Sequence, residues 1–135
     1  MHTKSSTRII AQRSAFASAT ERKRLRLGLF KRVFRLSRLR YEDGRPHSLE
    51  RIVFPISRLP GLDRHFASTR SLTEIADRYG HTLSKASERV RNLRPPSDVA
   101  VHLSIADTQS VMELDRVVFT ADGVPIAWRI TFMPL

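Results

Sequence analysis

Three charged side chains carry the most specific chemistry in this sequence. Arg38, Arg40 and Glu50 lie in the stretch RLSRLRYEDGRPHSLERIVFP at 35–55. An arginine fork pairs bidentately with a carboxylate or a phosphate, and a nearby glutamate can orient that fork or accept hydrogens from a hydroxyl or amine. The same trio also makes an ordinary cross-strand ion-pair network. Residue type leaves both uses open. Other chemistries lack their residues. The five glycines form no phosphate-cradling loop. His2, His47, His65, His81 and His102 never pair at i, i+4, so a zinc helix is not expected. There is no cysteine, hence no disulfide, thiolate nucleophile or Cys-based metal site. No Gly-x-Ser-x-Gly elbow occurs. Asp43 and Asp122 read as turn formers rather than acids. No cofactor, metal or catalytic residue is expected.

The trio must be positioned by a hairpin. Asp43-Gly44 between alternating apolar and charged residues is a strong hairpin signal, because both tolerate the positive φ of a tight turn. The arms fall near 32–41 and 46–54, and Pro55 ends the second. Period-2 alternation puts Phe34, Leu36, Arg38 and Arg40 on one face, and Ser48, Glu50, Ile52 and Phe54 on one face of the partner. Before the hairpin, residues 1–6 read as a disordered tail and 7–13 as a short strand. Ser18 or Thr20 caps a helix through Arg26, which Gly28 ends. After it comes a loop, 56–69, with a Pro60-Gly61 turn.

Ser71, with Glu74 three residues on, forms a capping box for a helix over 72–79 that Gly80 closes. A strand follows at 84–93, then a short helix from Ser97 or Asp98, a β-branched strand at 111–120, a turn at Asp122-Gly123 and a last strand at 124–132. The fold class is α+β, a mostly antiparallel sheet with short helices.

The length of 135 residues suits one domain over 7–135 behind the tail. No apolar run spans a membrane, and no secretory signal follows the basic N-terminus. A cytoplasmic location is expected. The net charge of +11 is the outlying property, and Arg22 to Arg40 holds much of it. It fits a solvated basic face or contact with an anion, nucleic acid included. A helix-turn-helix over 71–94 is disfavoured, because the surrounding DG hairpins do not belong to an all-helical bundle.

Two segments echo each other: helix, strand, DG-x-P turn, strand, ending in FRLSRLRYEDGRP and MELDRVVFTADGVP. Arg38 aligns with Arg116, Gly44 with Gly123 and Pro46 with Pro125, predicting a sheet with pseudo-twofold character. The second copy has Val118 and Arg129 where the first has Arg40 and Glu50. If one hairpin carries a ligand site and the other is mainly scaffold, the first is expected to carry it.

The phrases RLSRLRYEDGRPHSLERIVFP, PGLD at 60–63, SLTEIADRYG at 71–80, SERVRNLRP at 87–95 and LDRVVFTADGVPIAWR at 114–129 resemble the UTRA effector-binding domain of HutC-type, GntR-family transcription regulators. The resemblance covers about 7–130 and implies a chorismate-lyase-like fold. It implies a small effector, often an anionic metabolite, contacted by Arg38, Arg40 and Glu50, with Ser71 meeting an anionic group. It also implies a homodimer, or pairing with a full-length regulator, that repositions a winged helix-turn-helix. DNA would then be contacted only indirectly, and no membrane is involved. The chain departs from the family at its ends. About six residues precede the first strand, too few for the winged helix-turn-helix, and WRITFMPL ends before the segment that helps close the site. Lys85 and Ser87 stand where arginines are more frequent. A chorismate-lyase-like enzyme and a basic nucleic-acid-binding module are the alternatives.

Overall fold

The computed structural model describes residues 4–65 and 70–135. Its order is β1 (Ser5–Phe16), α1 (Ala19–Leu25), β2 (Arg32–Glu42), β3 (Arg45–Pro55), a 3-10 turn (Ile56–Arg58), α2 (Leu62–His65), α3 (Leu72–Arg78), β4 (Leu83–Leu93), α4 (Ser97–Leu103), β5 (Val111–Thr120) and β6 (Pro125–Pro134). The strands form one six-stranded sheet in the order β1-β2-β3-β6-β5-β4, and every neighbouring pair is antiparallel. The α+β class with an antiparallel sheet is as the sequence implies.

The echo is architectural. A strand, a seven-residue helix and a hairpin (β1, α1, β2–β3) are followed by the same set (β4, α4, β5–β6). The halves meet where β3 pairs with β6, from Leu49↔Phe132 to Val53↔Trp128. Both helices end on a left-handed residue, Arg26 and Ser104, and both lie on one face of the sheet, the back. Leu25 of α1 packs with Val33, Val53 and Trp128. Leu103 and Val99 of α4 pack with Leu39, Leu49, Val111 and Phe132.

The front face is covered by the segment between the halves. Leu59, Leu62, Leu72 and Ile75 pack onto Phe34, Leu36, Ile52, Phe54, Val118 and Ala127. Arg58 fastens this cover. Its guanidinium donates to the carbonyls of Leu25 and Pro125 at 2.7 and 2.6 Å and to that of Arg26 at 3.1 Å. The Leu25 and Arg26 carbonyls lie at the end of α1, where a helix leaves its carbonyls unpaired, and Pro125 is the first residue of β6.

Element ends shift from expectation for local reasons. β1 starts at Ser5, not at residue 7, because it pairs with the whole of β2 from Ser5↔Glu42 to Phe16↔Arg32. Residues 1–3 of the expected tail lie outside the described residues. Ser18 caps α1 in a full capping box with Glu21, but the helix closes at Arg26 (φ 53°) rather than at Gly28. The expected loop at 56–69 holds the 3-10 turn and α2, and its residues 66–69 lie outside the described residues. Ser71 caps α3, yet its hydroxyl donates to the Glu74 carboxylate at 3.1 Å, so only one side of the expected box forms in the expected way. The stretch HTLSKASERVRNL is not a recognition helix. It forms β4, paired with β5 from Leu83↔Thr120 to Leu93↔Val111.

The two hairpin turns differ. Asp43 and Gly44 both take positive φ, 51° and 78°, the signature of a two-residue type I′ turn. In the second turn Gly123 (φ 80°) is left-handed and Asp122 is not. The Thr120 hydroxyl accepts from the Val124 N–H, while both hairpins slip register beside the turn, between Arg40 and Tyr41 in the first and between Val118 and Phe119 in the second. No helix among the described residues is long and apolar enough to cross a membrane.

Candidate functional site

Each central strand changes character along its front face. On β2, Phe34 and Leu36 give way to Arg38 and Arg40. On β3, Phe54 and Ile52 give way to Glu50 and Ser48. On β6, Ala127 gives way to Arg129 and Thr131. Cross-strand pairs share a face, so Ile9, Arg38, Glu50, Thr131 and Leu114 form one row across five strands. The apolar rows are buried under α2 and α3. The polar rows cannot be covered by an apolar helix face without stranding their charges. They stay open and floor a cavity of about 460 Å³, within the usual range for small-molecule sites.

The structure brings all four sequence-predicted residues, Arg38, Arg40, Glu50 and Ser71, to this cavity, together with Arg70, Arg129 and Thr131. They are not equivalent. Arg38 is buried, and its Nε donates to Glu50 Oε1 at 2.6 Å, with a second nitrogen at 2.5 Å from the same oxygen. Its third nitrogen donates to the Arg70 carbonyl at 2.8 Å. Arg38 and Glu50 therefore form the cross-strand pair that the alternation allowed, inside the wall of the cavity. Arg40 is loose: it is 3.9 Å from Glu42, and its side chain is 55% exposed. The Ser71 hydroxyl is engaged with Glu74 at the start of α3.

Arg129 completes the arrangement and was not singled out as a site residue from sequence. Its guanidinium lies 3.4 Å from Glu50 Oε2. Burial pushes its pKa below the ordinary arginine range; Glu50 pulls it back, and the charges of Arg116 and Arg38 lower it again. The signal was present in the alternation Ala127, Arg129, Thr131, which puts an arginine on the core face of an otherwise apolar strand. Arg70 follows residues whose pattern gave no element, so no periodicity pointed to it. The expected split between a sensor hairpin and a scaffold hairpin does not hold for the cavity walls: Leu114, Arg129, Thr131 and Met133 of the second hairpin line the same space.

Outside the cavity, much of the basic charge is answered locally. Arg35 holds Glu21 at 2.7 and 2.8 Å, Arg91 holds Glu113 at 2.7 Å, and Arg24 pairs with the buried Asp115. Trp128 Nε1 also donates to Asp115, at 2.9 Å, under the Arg24 guanidinium. Among the described residues no group of three or more His, Cys, Asp or Glu is placed to hold a metal ion.

An antiparallel sheet of two matching halves thus carries a basic cavity beside the start of α3. The UTRA domain family matches residues 1–135, and the chain belongs to that family, the effector-binding domains of GntR-type transcription regulators. Solved structures agree in fold. The effector domain of PhnF from Mycobacterium smegmatis superposes with a TM-score of 0.91 at 22% identity, over 98% of this chain and 82% of that one. The full PhnF structure gives the same score, and this chain covers 59% of it. The C-terminal domain of the histidine utilization repressor from Pseudomonas syringae pv. tomato gives 0.88 at 13% identity, over 97% and 92% of the two chains. A GntR-family transcriptional regulator from Bacillus cereus gives 0.84 at 19% identity, over 96% and 90%. No curated protein matches the chain in sequence.

Proposed function

We propose that this domain senses a small anionic metabolite in the cavity walled by Arg38, Arg40, Glu50 and Ser71. The observation that carries the reading is the convergence of these residues on one space of about 460 Å³ with arginines in its walls. Binding shifts the balance between arrangements of a dimer, formed with a second copy or with a full-length regulator. That shift alters DNA binding by an attached or partner winged helix-turn-helix. A ligand can move such an equilibrium only by binding one arrangement more tightly than the other. The domain works in the cytoplasm, contacts DNA only indirectly and is not catalytic. Supporting the binding reading over a chorismate-lyase-like reaction, the solved structures named above are of regulators, and the Ser71 hydroxyl is tied to Glu74.

A thermal-shift screen of sugar phosphates, amino acids, carboxylates and phosphonates tests this, since a ligand of the folded state raises its stability. A stabilising metabolite should lose affinity in Arg40→Ala. Size-exclusion chromatography with and without the hit tests the dimer. If no anionic metabolite raises the melting temperature, the sensing role is wrong.

A further inference from the structure

Arg129 is a largely buried cation of the cavity whose charge is only weakly answered. Arg38 donates from three nitrogens to Glu50 and the Arg70 carbonyl. Glu50 is thereby committed through Oε1, and only its Oε2 reaches Arg129, at 3.4 Å. The residue directly across from Arg129 on β5 is Arg116. Like charges placed opposite each other in a sheet are destabilising. Arg116 escapes by pairing with Glu88 at 2.8 and 2.5 Å; among the described residues Arg129 has no second carboxylate. The Nε atoms of Arg129 and Arg70 are shut off from solvent and find no partner among the described residues. A buried donor left unpaired is costly, and it marks both guanidinium groups as poorly answered by the protein itself. Both side chains line the cavity. Among its lining residues four arginines face two carboxylates, Glu50 and Glu74, an excess of two positive charges.

We infer that Arg129 is the principal contact for the charged end of the cavity's ligand, a doubly charged group of the phosphate type, with Arg70 and Arg40 sharing it. Arg38 and Glu50 form a positioning pair that holds the wall and directs Arg129. This rests on the reading of the cavity as the effector site. It moves the charge-reading role from the first hairpin to the seam between the halves. It also explains a conflict inside the fold, because an arginine opposite an arginine is a poor choice for a scaffold and a good one for an anion.

The test uses melting of the whole chain at about pH 8, where phosphate carries close to two charges, at constant ionic strength. Inorganic phosphate is the probe, acetate the singly charged control and chloride the reference. Phosphate should raise the wild-type melting temperature more than acetate does. Arg129→Gln should weaken phosphate by at least about tenfold, a change of about 1.4 kcal/mol. In chloride alone the same variant should melt no lower than wild type, since the Arg116–Arg129 conflict is gone; a merely structural arginine would lower it. Arg129→Lys, which keeps charge but loses the fork, should fall between the two. Arg129→Gln that binds phosphate as wild type does, or melts lower in chloride without losing binding, overturns the inference. Acetate matching phosphate overturns the double charge. A wild-type chain stabilised by an anionic metabolite equally well with Arg129→Gln sinks this assignment and leaves the sensing role standing. Stabilisation by no anion at all removes the sensing role as well.

Discussion

The two halves of the sheet share a backbone plan, and at one matching cross-strand pair on the front face they differ in the sign of one residue. In the first half Arg38 faces Glu50; at the matching pair in the second, Arg116 faces Arg129. The first hairpin neutralises its own arginine. The second cannot, so Arg116 turns outward to Glu88 on the edge strand, and Arg129 reaches back across the seam to Glu50. A repeated scaffold with one charge reversed leaves an unanswered cation where the halves join. The symmetry accounts for the fold, and its violation accounts for the cavity.

The largest effect should come from the buried pair of the first half. Glu50→Gln leaves Arg38 without its carboxylate, with a side chain only 9% exposed. Removing one partner of a buried ion pair costs about 3–5 kcal/mol; partial exposure of Glu50 puts the expectation at about 3, read by denaturant unfolding. A loss below about 1 kcal/mol would mean that Arg38 finds other partners and that the halves differ less than their charges suggest.

Next is Asp115 on the back face, which answers Arg24, Arg89 and Trp128. Asp115→Asn should cost about 2 kcal/mol and shift the emission of Trp128, the single tryptophan in the sequence. Unchanged emission would sink the proposed Trp128–Asp115 bond.

The turns offer a control on the symmetry. Gly44 and Gly123 have φ of 78° and 80°, and an added Cβ would meet nothing within 4 Å at either. Only backbone strain is at issue, so each change to alanine should cost about 1 kcal/mol. A difference between them well above that would show that the two turn types, rather than the shared φ, set the cost. Glu88→Gln should cost at most about 0.5 kcal/mol, because Glu88 and Arg116 are both partly exposed. Set against Glu50→Gln, it measures the inequality of the two halves directly.

The smallest signal is a slope with pH. Hydrogen bonding from Arg35 holds the Glu21 carboxyl below its ordinary value of 4.5, against the opposing effect of burial. A folded-state pKa lowered in this way adds stability that is complete above 4.5 and is lost as pH falls through the folded value. Glu21→Gln should therefore flatten the acid limb of the stability curve below that point. The second half has Val99 and Glu113 where Glu21 and Arg35 stand; its α4 instead carries Asp98, which hydrogen bonding from Arg51 holds below its ordinary value, so there the matching acid response should follow Asp98→Asn.

Local chemistry made much of this legible in the sequence. Asp43-Gly44 placed the hairpin, Ser18 and Ser71 placed two helix starts, and the period-2 pattern put Arg38 and Glu50 on a common face, where they pair. What escaped depended on partners distant in sequence. β1 owes its length to β2, which supplies a ladder partner beyond the two isoleucines. Arg129 gains its significance only when β3 lies beside β6, because its nearest carboxylate is 79 residues away. Arg26 closes α1 in place of Gly28 because Arg58, from the cover segment, binds the carbonyls left open there. Spacing along the chain shows which face a side chain takes, whereas what it meets there is settled by topology.

The seam itself has a mechanical consequence. β3 and β6 pair over only Leu49–Val53 against Trp128–Phe132, whereas β1–β2 and β4–β5 pair along nearly their whole lengths. Among the central strands, amide hydrogen exchange should therefore be fastest at this junction. A molecule lodged against Glu50 on one side and Arg129 on the other would act as a rivet. Its presence should be recorded as slowed exchange at Arg51 and Ile130, the pair at the middle of the seam.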